Sequence, residues 1–257
     1  MPATLTAQVD STRRDTTAAA DTTKPDTTAA LLPTMPAEIA PGPLPKGARY
    51  TFTVDSILLS SSRTLSDLLI HIPGVYVARG GWYGQAEIVL YGGRGPASLE
   101  IFWDGVPLAP LGRDSVYIDP ARIPLAPIER VDVLVLPATL QVYLVTAGQR
   151  STTPRTQVGI VTGQQDIADY RAGYAVRTRS GFGAALLADW TSIGQGSSNS
   201  SSTPFGTSDI WIKADYVPPG GRLGASFQVS ASSWHRKAGP SVDSWRQERR
   251  DRILRLF

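Results

Sequence analysis

Between Thr156 and Trp234 the chain runs through five stretches of roughly nine to twelve residues in which apolar and polar side chains alternate. In "YRAGYAVRTRSG", Tyr170, Ala172, Tyr174 and Val176 alternate with Arg171, Gly173, Ala175 and Arg177. In "SDIWIKADYV", Ile210, Ile212, Ala214 and Tyr216 alternate with Trp211, Lys213 and Asp215. In "RLGASFQVSASSW", Leu223, Ala225, Phe227 and Val229 alternate with Gly224, Ser226, Gln228 and Ser230. Period two sends successive side chains to opposite faces of a strand, so each stretch is a strand with one apolar and one polar face. A strand of about 9–11 residues tilted across a bilayer has this length and pattern, apolar toward lipid and polar toward a lumen. A soluble sandwich with one wet face would alternate in the same way. The connections are short at "PPGG" (Pro218–Gly221) and long at "GQGSSNSSSTPFGT", as they are at the two rims of a barrel.

Composition removes several classes of function. The 257 residues carry 25 Lys plus Arg against 22 Asp plus Glu, a formal charge of +3, with no block of like charge. Nucleic acid is therefore not an expected partner. Cysteine is absent, and His71 and His235 are the only histidines, which excludes thiolate nucleophiles, disulfides and multi-histidine metal sites. No metal, cofactor or catalytic set is expected. No apolar run reaches about 18 residues, so no transmembrane helix is encoded. The opening "MPATLTAQVDSTRRDTT" lacks the apolar centre of a secretion signal.

Residues 1–48, rich in Thr, Ala, Asp and Pro ("DTTAAADTTKPDTTAA"), are expected to form a disordered arm, since they offer little to bury against the entropy of ordering. Residues 49–150 read as a compact α+β unit. "RYTFTVDSILL" alternates as an extended segment, and "TLSDLLIHIPG" carries a helix with Thr64 as its N-cap and Asp67 reaching back. Leu65, Leu68, Leu69 and Ile72 form its apolar stripe, and Pro73-Gly74 stops it. His71 near its end is read as a cation at the helix dipole rather than a catalytic group. Short strands follow at "GVYVARG", "AEIVLYGG", "SLEIFW", "ERVDVLVL" and "LQVYLVT", with "IDPARIPLAPIER" irregular between them. In "SLEIFWDGVPLAP" the Asp104-Gly105 pair between apolar runs signals a tight hairpin. Residues 155–257 then hold the alternating strands, about five in number.

In their order these pieces resemble a TonB-dependent outer-membrane receptor. The landmarks are "LSDLLIHIPGV" (Leu65–Val75), "EIVLYGGRG" ending on Arg94-Gly95, "IFWDGVPL" (Ile101–Leu108) and "IPLAPIERVDVL" (Ile123–Leu134). The resemblance implies an α+β plug followed by the first strands of a transmembrane β-barrel. It makes Pro73, Gly74, Arg94, Gly95, Asp104, Gly105, Glu129 and Arg130 plug-motif residues with structural or gating roles, Asp104 serving the turn rather than acid catalysis. Glu129 and Arg130 would pair locally or with the barrel wall, and Arg94 would face the lumen or solvent. The stretch "LVLPATLQVYLVT" is shorter than the family's, with "VYLVT" (Val142–Thr146) standing for a later strand. No TonB box is visible, and "YTFTVDS" (Tyr50–Ser56) is a candidate edge strand for a partner.

Three functions follow as expectations. The first is uptake of a scarce nutrient such as an iron chelate, with the plug gating the lumen, outer-membrane lipid around the wall and a TonB-type energy-transducing protein as partner. The second is a β-rich binding module or structural subunit that uses the plug fold without transport. The third, a hydrolase using Asp104 with Asp119 or Glu129, lacks any accompanying nucleophile and base. Five strands are fewer than the roughly 22 of the large transporters or the roughly eight of the smallest barrels. An open edge in hydrocarbon leaves backbone groups unpaired. The chain is therefore expected to be a fragment that needs the remainder of a barrel or other subunits. The charged tail "RQERRDRILRLF" is not counted among the strands.

Overall fold

A computed structural model describes residues 31–36, 47–60, 62–80, 84–110, 117–163, 167–194, 204–238 and 243–257. The first unit begins with β1 (Arg49–Thr53), α1 (Val54–Leu59), α2 (Leu65–Leu69), β2 (Tyr76–Ala78) and β3 (Ile88–Leu90). It continues through β4 (Leu99–Trp103), β5 (Val106–Pro107), β6 (Ile128–Val135) and β7 (Leu140–Thr146), with 3₁₀ turns at Gly95–Ser98 and Pro120–Arg122. A five-stranded sheet runs in the order β1-β6-β7-β4-β5. Its β4–β7 pair is parallel and the others antiparallel. Strands β2 and β3 form a separate antiparallel ribbon.

Local chemistry explains these elements. At α2 the Asp67 Oδ2 accepts the backbone N–H groups of Arg63 (3.0 Å) and Thr64 (3.1 Å), using donors that helix geometry leaves free. Leu65, Leu68, Leu69 and Ile72 are all buried, as the stripe predicts, and Gly74, in the turns beyond, adopts φ 80°. At the β4–β5 hairpin Asp104 (φ 47°) and Gly105 (φ 84°) both adopt the left-handed conformation that a tight type I′ turn demands. The expected extended run Arg49–Leu59 is only half strand. It turns helical at Val54 because the Thr53 side chain caps the Ser56 N–H, and a single buried residue, Ile57, fastens that turn to the core.

The second unit is a six-stranded antiparallel sheet of consecutive neighbours. Its strands are β8 (Arg155–Gly163), β9 (Ile167–Arg177), β10 (Phe182–Ile193), β11 (Phe205–Tyr216), β12 (Ala225–Arg236) and β13 (Trp245–Leu256). The alternation falls as the sequence predicts. Leu187, Asp189, Asp209, Trp211, Lys213, Ser226 and Gln228 are buried against the first unit, while Leu186, Ile210, Ile212, Tyr216 and Phe227 are exposed on the far face. Leu187 and Trp211 join the same core as α2, β4, β6 and β7.

Two expectations are corrected. The charged tail is a full strand: β13 pairs with β12 at every residue from Trp245 to Leu256. Cross-strand hydrogen bonding to a long neighbour holds it, so the missing apolar alternation does not matter. Of the arm expected over residues 1–48, positions 1–30 and 37–46 lie outside the described residues. Leu31–Pro36 packs instead: Leu31 bridges Ser151, the Leu32 N–H donates to the Arg150 carbonyl (3.1 Å), and Met35 is buried. The long connection 195–203 is likewise outside the described residues.

Leu69 is fully buried, so Leu69→Ala should cost about 2–5 kcal/mol of unfolding free energy. Chemical denaturation of the chain in detergent micelles would measure this loss.

Candidate functional site at the seam between plug and wall

The Asp104-Gly105 turn aims a carboxylate into the seam, where wall residues meet it. Asp104 is buried; its Oδ1 accepts the Thr146 N–H (2.9 Å), and its Oδ2 accepts the Thr146 hydroxyl (2.6 Å) and the Gln228 amide (3.0 Å). Lys213 donates to the Thr146 hydroxyl (2.8 Å), and its ammonium lies 3.8 Å from Asp104. Gln228 in turn accepts from the Trp211 indole (3.1 Å). One hydrogen-bonded row thus runs from the plug hairpin through β7 to β11 and β12. Its charge is balanced and its polar atoms are partnered, which a buried ion pair requires to be tolerated.

A second fastening lies toward the long connections. The Arg122 guanidinium donates to the Gly84 carbonyl (2.6 Å) and pairs with Asp119 (3.2 Å). It lies over Trp245 (4.5 Å to the ring centre) and Trp234 (5.4 Å) of the wall. Burial pushes the Asp119 carboxyl up despite Arg122, and burial likewise pushes Arg122 down. Gly84 itself (φ 79°) leaves no room for a side chain, since a Cβ would stand 2.5 Å from Phe205.

The third fastening is Arg177 near the short turns. It is 2% exposed and donates to Asp215 (2.9 Å) and to the carbonyls of Gln149 (3.1 Å), Pro33 (2.6 Å), Gly181 (3.2 Å) and Val217 (3.4 Å). Arg255 adds a bond to the Pro36 carbonyl (2.8 Å).

Cavities flank the Asp104 row. One of about 790 Å³ opens toward the long connections, between Asp67, Arg79 and Arg122 of the plug and Asp189, Asp209 and Trp234 of the wall. Another of about 600 Å³ lies toward the short turns and is lined by Asp104, Glu129, Arg130, Lys213 and Asp215. Along β11 the inward positions step from Asp209 in the first cavity, past Trp211, to Lys213 and Asp215 in the second. The Trp211–Gln228–Asp104 row is the partition.

Of the sequence-predicted residues, Asp104 forms the partition. Glu129 caps the Gly148 N–H (3.1 Å), and Arg130 pairs with Asp132 (2.9 Å). Both contacts stay within the first unit, and both residues line the second cavity. Arg94 is exposed beside the 3₁₀ turn that Gly95 begins at φ 65°, away from the seam. The helix α2 ends earlier than expected, at Leu69 with Ile70 as its cap, and Pro73 and Gly74 belong to the turns that follow, with Tyr91 beside Gly74. Of the carboxylates considered for hydrolysis, one pair shares a cavity and the other does not. Asp104 and Glu129 line the second cavity, and Asp119 is held by Arg122 across the partition. Sequence reading placed Lys213, Gln228 and Arg177 on the polar wall face without partners, and it missed Arg122, Thr146 and Asp209. A cue was available for Asp209, because an aspartate recurs at inward positions of three successive strands, Asp169, Asp189 and Asp209.

A small α+β domain seated against the charged face of an antiparallel sheet resembles the plug-and-barrel arrangement of outer-membrane receptors. Residues 46–143 match the family model of the TonB-dependent receptor plug domain. Over that stretch the chain is similar to the plug domain, and together with the strands after it the chain shares the fold of solved outer-membrane transporters and receptors. The copper transporter OprC is similar, with TM-score 0.68 and 13% identity over 84% of this chain and 36% of that one. The ferripyoverdine receptor of the outer membrane of Pseudomonas aeruginosa gives TM-score 0.60 and 14% identity over 81% and 31%. The siderophore receptor PiuA of Acinetobacter baumannii gives 0.57 and 13% over 74% and 27%. This chain therefore spans about a third of the length of these structures. No curated protein matches it by sequence.

Asp104→Asn keeps the left-handed turn but strips Lys213 of its counter-charge, and should destabilise the chain by about 3–5 kcal/mol. Adding Lys213→Met should restore part of that loss in the same denaturation experiment. Acid should weaken the plug as well. Burial alone would raise the Asp67 and Asp132 carboxyls, but hydrogen bonds and nearby arginines outweigh it and hold both below the ordinary carboxylate range. Their stabilising contribution is present above the unfolded value of about 3.9 and is lost as pH falls through the lower folded values. Thermal melting should fall off below about pH 4, and Asp132→Asn should flatten that acid limb.

Proposed function

We propose that this chain supplies the plug and part of the barrel wall of an outer-membrane receptor that takes up a scarce nutrient. The plug gates the lumen, and a TonB-type energy-transducing protein drives its release. The observation that carries this reading is the two-sidedness of the wall over β9–β12: one face is exposed and largely apolar, the other is charged and grips the plug. Aromatic residues border the apolar face, with Phe182 and Tyr216 at one rim and stacked Tyr170 and Trp190 at the other. Phe182 to Trp190 is about 26 Å along a strand, or about 20 Å of height at a tilt of about 40°, close to the ~25 Å apolar band of outer-membrane barrels. The cavity toward the long connections is the ligand chamber in this reading. The chamber's general substrates are siderophore or metal complexes, the class that the similar receptors are named for. The free edges of β8 and β13 pair with further barrel strands, since unpaired edges are not tolerated in hydrocarbon.

Expressed in a bacterium with an outer membrane together with the strands that complete the barrel, the protein should fractionate with that membrane. Ile212→Arg, placed mid-band on the exposed face, should lower the membrane-inserted fraction by a cost of about 2–4 kcal/mol. A protein that stays in the aqueous fraction, indifferent to Ile212→Arg, would refute the reading.

A further inference from the structure

We propose that the outward face of β13 docks the phosphate headgroups of membrane lipid, held by Arg250 and Arg252 at the rim toward the long connections. This inference rests on the reading of the exposed apolar face as lipid-facing and adds a contact with the headgroups at its edge.

Strand β13 breaks the pattern of its neighbours. Its outward side chains are Arg246, Glu248, Arg250, Arg252, Leu254 and Leu256, all exposed. A guanidinium on this face is costly at the bilayer midplane and nearly free at its interface, so height decides what the arginines do. Strand pairing links Trp190 through Ser208 and Ser233 to Glu248. The last outward apolar side chain before the long connections is Trp190 on β10, Ile210 on β11, Ala231 on β12 and Leu254 on β13. The edge of the apolar band therefore slants across the paired rows, reaching Leu254 rather than Glu248 on β13. Tilted strands require such a slant. At about 40° and about 4.8 Å between strands, a line of constant height shifts by about 4 Å, or about one residue, per strand. Followed from Trp190 on β10, that line meets β13 close to Arg252. Leu254 and Leu256 lie inside the band, and Arg252, Arg250 and Arg246 stand at its edge and beyond, where headgroups begin.

The charges on this face are unevenly matched. Three guanidiniums meet one carboxylate: Glu248 pairs with Arg246 (2.7 Å) and with Arg250 (3.5 Å). The Arg252 guanidinium has no partner among the described residues. Its cross-strand neighbour on β12 is Val229 and that of Arg250 is Ala231, and neither offers a counter-charge. Asp251 points to the seam, where Arg249 holds it. A guanidinium fork matches a phosphate through paired N–H···O bonds, whereas an uncharged headgroup would leave the surplus positive charge unmet. Alternate residues of a strand are about 6.6 Å apart on one face, so the long side chains of Arg250 and Arg252 can both reach one phosphate.

The probe is dioctanoyl phosphatidic acid, titrated calorimetrically into the full chain in micelles of an uncharged detergent, with dioctanoylglycerol and inorganic phosphate as controls. The phosphatidic acid should bind, and Arg250→Gln and Arg252→Gln should each weaken it about fivefold. Glu248→Gln releases Arg246 and Arg250 and should tighten it, a gain that misfolding cannot imitate. All three positions are exposed, so the variants should melt with the parent. Equal affinity for the parent and the Arg250→Gln/Arg252→Gln double variant would overturn the proposal. So would dioctanoylglycerol or inorganic phosphate binding as tightly as the phosphatidic acid, which would reveal an apolar site or a free-anion site instead. If the double variant melts lower, Glu248→Gln decides alone, and an unchanged affinity overturns the proposal. If Ile212→Arg blocks membrane insertion while phosphatidic acid ignores the arginines, only the headgroup assignment falls and the receptor reading stands. Indifference to Ile212→Arg removes both.

Discussion

The meeting of plug and wall depends on one carboxylate forced into the seam by its own turn. Asp104 occupies a left-handed position that few residues tolerate, and this conformation directs its oxygens at Thr146, Gln228 and Lys213. A buried charge of this kind is tolerated only while every partner is present. Local backbone chemistry in the plug and side-chain chemistry in the wall therefore depend on each other. The two larger cavities of the seam lie on either side of the hydrogen-bonded row that satisfies Asp104, and a smaller one of about 140 Å³ borders it at Trp103 and Trp211.

The wall turns apolar side chains outward over β9–β12 and polar ones to the seam with single-residue resolution. Leu186 and Leu187 are neighbours in sequence, yet one is exposed and the other belongs to the plug core; Ile210 and Trp211 divide in the same way. A slip of one residue would exchange the two sets, so register is strongly held wherever both faces are specified. Strand β13 is held differently. Arg246, Glu248, Arg250 and Arg252 share the exposed face with Leu254, and pairing along β12 keeps them in register.

Much of this was legible in the residues, and the failures have physical causes. Period-two alternation exposed five wall strands because burial on one face writes itself into composition. Strand β13 escaped because backbone pairing leaves no such mark. The helix α2 was readable from Thr64, Asp67 and the leucine stripe, all within ten residues. The α1 turn at Val54 was not, since alternation in "YTFTV" continues smoothly into it. Asp104 was recognised as turn chemistry, which it is, but its partners Lys213 and Gln228 lie more than a hundred residues away and no local pattern joins them. Arg122 sat in a proline-rich stretch without periodicity, and its role exists only where the fold brings two wall tryptophans to it.

The bonds of Arg177 and Arg255 to Pro33 and Pro36 divide the chain mechanically. Leu31–Pro36 is riveted to the wall, whereas Arg49 onward is hydrogen-bonded along β6 in the plug. Tension applied upstream of Leu31 would load the rivets before it reached the plug. The same tension applied between Pro36 and Arg49 would peel β1 directly, so the point of attachment decides which part yields.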